Sequence, residues 1–150
     1  MMSIRRFWIA CLISAVVGLS LAVTPAFAAG TFSWDLSCRG SGDASAYWSW
    51  LQDGQSIVGS ESHGDCIGND KASGAGARPA AANGIFVQLR ACTGWGCDYQ
   101  SETVSFDASG SFNVSLQASG KWTADPCEGP HCSHMNLSKS YHEAATFSMN

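Results

Sequence analysis

Three alternating runs in the middle of the chain constrain its fold more than any other feature. Ile85, Val87, Leu89 and Ala91 share one side of a first run, with Phe86, Gln88 and Arg90 on the other. Val104, Phe106 and Ala108 repeat the pattern, and Phe112, Val114, Leu116 and Ala118 repeat it again. A period of two is the signature of a strand with one wet face. Cys92 and Cys97 sit at one end of these runs. The stretch Gly84 to Ala118 therefore reads as the middle of a half-buried antiparallel sheet.

The rest of the chain follows the same period. Phe32, Trp34, Leu36 and Cys38 alternate, as do Ala46, Trp48 and Trp50, and Ala145, Phe147 and Met149. Asp53-Gly54 between the Trp48/Trp50 run and Gln55 to Val58 predicts a two-residue hairpin, because both central positions of that turn need positive φ. The small residues and glycines of Gly68 to Asn83 offer nothing to bury, so a flexible surface loop is expected there, with a binding lid as the alternative. These signals predict an all-β chain: an antiparallel, immunoglobulin-like β-sandwich of about seven strands, with a closed barrel as the competitor.

The N-terminus reads as processing, not fold. Arg5 and Arg6 precede an apolar run from Phe7 to Val23, and Thr24 to Ala28 ends in an Ala-x-Ala pattern. This predicts a secretory signal peptide over residues 1–28, against the alternative of an uncleaved anchor. A single domain over 29–150 and a secreted, extracellular location follow as expectations. Removing the leader takes the formal charge from −4 to about −6 and leaves no clustered basic face, so no nucleic acid partner is expected. No membrane partner is expected after leader removal, and a monomer is.

Of the 7 cysteines, Cys11 falls in the leader. Cys38, Cys66, Cys92, Cys97, Cys127 and Cys132 remain, an even number in an exported chain, which predicts three disulfides among fifteen possible connectivities. Cys92/Cys97 and Cys127/Cys132 each enclose a short glycine-containing loop and favour local pairing, which would leave Cys38 with Cys66. A structural zinc site is the alternative.

The second half resembles the neocarzinostatin family, the secreted apoproteins that carry enediyne chromophores. The resemblance rests on Leu89-Arg90-Ala91-Cys92, Thr103 to Leu116, Cys127-Glu128-Gly129-Pro130-His131-Cys132, and Ala145-Thr146-Phe147. It covers roughly Gly84 to Asn150. It implies a sandwich with a ligand cleft between the sheets and a small two-stranded ribbon, floored near the first disulfide, with Trp95 at that floor. Gln117 to Pro126 is about half the length of the family's ribbon, so a shortened ribbon is expected, and the first half does not match.

Candidate site residues follow from aromatic content. Trp95, Tyr99 and Trp122 would lie near one end and present flat apolar faces to a ligand, or else cap the core. His131, His134 and His142 suit copper or zinc, but no three-ligand set with its supporting shell is evident, so no metal and no cofactor are expected. There is no Gly-x-Ser-x-Gly elbow and no spare thiol, so no catalytic residue is assigned and no enzyme is expected. The leading expectation is a secreted binding protein for an apolar or aromatic small molecule. The alternative is an interaction module of the cell envelope that recognises protein or glycan.

Overall fold

The alternation of Phe32, Trp34, Leu36 and Cys38 does bury one side of a strand, β1 (Thr31–Gly40). The computed structural model describes residues 30–94, 96–106, 110–124, 130 and 137–150, the side chains of 122–124 excepted. The expected leader, Trp95, and the Cys127–Cys132 loop with His131 and His134, apart from Pro130, lie outside the described residues. After β1 come β2 (Asp43–Gln52), β3 (Gln55–Ser56), β4 (Glu61–Ile67), β5 (Asp70–Ala77), β6 (Gly84–Thr93), β7 (Gly96–Ser105), β8 (Phe112–Ala124) and β9 (Leu137–Met149).

These strands form two antiparallel sheets. One has the order β5-β1-β9-β8 and the other β3-β2-β6-β7, with β4 also pairing β2. β3 and β4 lie along the same strand, β3 beside Leu51–Gln52 and β4 beside Asp43–Trp48. The chain is an all-β sandwich, as the alternation predicts.

The structure adds β4 and β5 to the seven expected strands, and β5 corrects the reading of residues 68–83 as a loop. Its backbone pairs along β1 from Cys38↔Asp70 to Thr31↔Ala77. Backbone ladder bonds hold it, because its side chains are too small to bury much. That smallness has a packing use. A Cβ on Gly74 would sit 2.6 Å from the indole nitrogen of Trp34, and one on Gly64 of β4 would sit 2.8 Å from the same ring. Trp34 fills the space that side chains there would need.

The inner faces interlock as aromatic pairs. Phe32 meets Trp48 at 5.0 Å and Trp50 at 5.2 Å between ring centroids, and Trp48 meets Phe147 at 6.3 Å. Such tilted contacts suit the ring quadrupoles. Phe32, Leu36, Ile85, Leu89 and Phe147 are essentially inaccessible to water. Each contributes about 1.5–3 kcal/mol by leaving it. Asp53 (φ 50°) and Gly54 (φ 81°) make the predicted hairpin turn. Asn83 clamps that turn, accepting from the Asp53 N–H at 2.8 Å and donating to its carboxylate at 2.7 Å.

Two disulfides are described. Cys38–Cys66 joins β1 of one sheet to β4 of the other, with Cα atoms 5.9 Å apart. Cys92–Cys97 closes the β6–β7 hairpin at a directly opposed ladder pair, with Cα atoms 4.0 Å apart. Both match the local-pairing expectation and fit an oxidising environment. Among the described residues no helix is long and apolar enough to cross a membrane.

β8 and β9 outrun their sheet. Their ladder extends from Phe112↔Met149 to Ala124↔Leu137, whereas β1 stops pairing β9 at Gly40↔Tyr141. The pairs from Lys121↔Ser140 onward therefore form a two-stranded ribbon beyond the end of the sandwich.

Candidate functional site

The ribbon leaves the sandwich at the end where the β1–β2 turn, the tip of β4 and the β6–β7 turn converge. Alternation ends at each of these points, so backbone and polar side chains replace the apolar core. Between them lies a shallow cleft of about 580 Å³. Gly40 to Asp43 line one side, Asp65 and Ile67 a second, Arg90, Thr93 and Gly94 a third, and Lys139 comes from the ribbon. Ile67 is 76% exposed, an unusual position for a large aliphatic side chain on a strand. Two carboxylates and two cations face this space, so it can hold a ligand by charge as well as by apolar contact.

Glu143 lies directly behind this end. It is on the inward face of β9, opposite Cys38 and Ala118 in the ladders, and it is fully buried. Neither carboxylate oxygen has a hydrogen-bond partner. Burial raises its carboxyl from 4.5 to about 7, and the negative charge of Asp43 adds to the effect. Oε1 is 3.1 Å from where a Cβ on Gly42 would stand, and the Cys92 carbonyl is 2.6 Å from the same point. Gly42 is thus the thin partition between the cleft and the buried acid.

Next along β9, Tyr141 is buried and its hydroxyl donates to Asp98 of β7. This turns Asp98 inward, so the following residue, Tyr99, must point out. Tyr99 is 56% exposed, sits opposite Arg90 in the ladder and is not among the residues lining the cleft.

The structure therefore places the expected trio of site residues unequally. Trp122 pairs through its backbone with the cleft-lining Lys139, while its side chain is not described. Trp95 lies outside the described residues, next in sequence to the cleft-lining Gly94. Tyr99 stands one position away on the outer face. Sequence reasoning missed Asp43, Asp65, Ile67, Arg90 and Lys139, which come together only when strand ends meet. Glu143 had a signal: Ala145, Phe147 and Met149 point inward, and the same parity carried back reaches Glu143 and Tyr141.

His142 is exposed on the opposite face of β9. Among the described residues no group of three or more His, Cys, Asp and Glu side chains is arranged to hold a metal ion. No family model, no curated protein and no solved structure matches the chain, so the chemistry of the site is read from its own residues.

Proposed function

We propose that the protein is a secreted, non-catalytic binding protein that holds a small molecule in the cleft at the disulfide end of the sandwich. One observation carries the reading: Lys139 of the β8–β9 ribbon and Gly94 of the Cys92–Cys97 turn line the same cleft. A cleft walled by a ribbon and floored by a disulfide hairpin is what the resemblance to the neocarzinostatin apoproteins implies for a ligand site. The leader pattern and the oxidised cysteines support export. Ile67 favours a ligand with an apolar face, and Arg90 and Lys139 favour one that also carries oxygen acceptors.

Tryptophan fluorescence titration of the processed protein with flat, oxygen-bearing polycycles tests this. Saturable quenching is expected, weakened roughly tenfold by Ile67→Ser or by Lys139→Glu. Emission that no such compound alters, or binding that neither substitution affects, overturns the assignment to this cleft.

A further inference from the structure

A second recess lies on the flank of the sandwich, where the outermost strands of the two sheets, β5 and β4, face each other. Its volume is about 330 Å³. One wall is β5 from Gly74 to Ala77, and the other carries Glu61 and His63 of β4. The floor is the edges of Phe32, Trp34, Trp48 and Trp50.

Three features make this a built site. The first is the asymmetry of the two inward glycines of β5. A Cβ on Gly74 would collide with Trp34, but one on Gly76 would meet nothing within 4 Å, although Gly76 pairs with the core residue Phe32. The recess is therefore open where a strand would ordinarily place a core side chain. The second is preorganisation. The His63 ring stacks on Trp48 at 3.9 Å and 14°, and a 3.0 Å contact with Glu61 fixes its orientation. His63 thus presents a held ring, with its side chain 39% exposed, as the next face of a stack. The third is charge. Among the described residues Glu61 is the one acidic residue lining the recess and no Lys or Arg lines it, and its carboxylate is half-exposed at the mouth. Mostly apolar and aromatic walls with one or two placed polar groups are the usual make-up of a small-molecule site, and this volume is at the lower end of the range of ~300–1,000 Å³.

We infer that this recess binds a planar aromatic amine, its ring entering over Gly76 to stack against His63 and the tryptophan edges, and its amino group or ring cation meeting Glu61. The site is independent of the end cleft, since the two share no lining residue.

The test uses the full processed protein and proflavine, a planar aromatic cation. Binding is followed by tryptophan quenching and by equilibrium dialysis. One saturable site is expected. Gly76→Val should weaken it by at least about tenfold, because the added side chain fills the recess. The same substitution should leave near-ultraviolet circular dichroism unchanged, since it meets open space and its branched side chain suits a strand. Glu61→Gln should weaken proflavine roughly fivefold, and the anion 1-anilinonaphthalene-8-sulfonate should bind at least about tenfold more weakly than proflavine. Lys139→Glu, at the end cleft, should leave proflavine binding unchanged. Absence of a saturable site, or full affinity in a folded Gly76→Val protein, overturns the inference. So does loss of binding in Lys139→Glu with retention in Gly76→Val, which would place the dye in the end cleft.

Discussion

The hydroxyl of Tyr141 donates to the carboxylate of Asp98, tying β9 of one sheet to β7 of the other at the cleft end. A hydrogen bond to a charged acceptor contributes more than a neutral one. Tyr141→Phe should therefore cost about 1.5–3 kcal/mol of unfolding free energy in urea melts. It should also free Asp98 to turn outward and lower affinity at the end cleft. A variant as stable as wild type would show that the tie is slack in solution.

Glu143 should make the protein less stable as pH rises. In the unfolded chain its carboxyl ionises near 4.5, and in the folded chain near 7. Below 4.5 both states hold the proton and stability does not change with pH through this group. Between 4.5 and 7 only the unfolded chain gains by releasing it, so stability falls; above 7 the loss levels off at about 3 kcal/mol. Glu143→Gln should flatten this slope and be the more stable protein at pH 8. Chemical denaturation at pH 4, 6 and 8 measures it, and parallel pH profiles for the two proteins would contradict the burial of an unpaired acid.

The two disulfides should differ in worth. Cys38–Cys66 closes 28 residues of chain and links the sheets, whereas Cys92–Cys97 closes 5 within one hairpin. Loop-entropy scaling gives about 3.5 kcal/mol for the first and about 2 for the second. Paired Cys→Ala substitutions with thermal melts should reproduce that order. The reverse order would mean that the hairpin staple does more than restrain the unfolded chain.

Glycines 64 and 76 should respond oppositely to alanine. Gly64 has φ of +71° and a Cβ there would press on Trp34 at 2.8 Å, so Gly64→Ala should cost about 2–3 kcal/mol. Gly76→Ala meets open space and should gain up to about 1 kcal/mol through lower entropy of the unfolded chain. Calorimetry on the two variants separates these effects.

What could be read from the sequence follows from what holds each strand. β1, β2, β6 and β9 are held by burial, so Phe32/Trp34/Leu36 and Ile85/Val87/Leu89 announce them through alternation. The Asp53-Gly54 turn is announced by the backbone angles it demands. β5 was not legible, because Lys71 to Ala77 bury almost nothing and a strand held by its ladder to β1 leaves no apolar pattern. The end cleft was half legible. The Cys92–Cys97 turn and the ribbon near Trp122 were expected, but Arg90 of β6, Lys139 of β9 and Asp65 and Ile67 of β4 lie on three strands whose ends meet only after folding. That Tyr99 faces outward beside Arg90 was not legible, because nothing local shows that Asp98 turns inward to receive Tyr141. The flank recess depends on what β5 lacks, and a missing side chain has no period to detect.

The strand that opens the flank by shedding its side chains also sheds its defences. β5 is the outermost strand of its sheet, and past Asp70 and Lys71 it presents Ala, Ser and Gly alone, with neither charge nor proline to discourage a newcomer. Strand ends of this kind are guarded in most proteins. No described strand pairs its outer edge, so crowding of the protein at high concentration should drive it first toward strand-to-strand self-assembly along β5, and a lysine at Ser73 should be the change that restrains it.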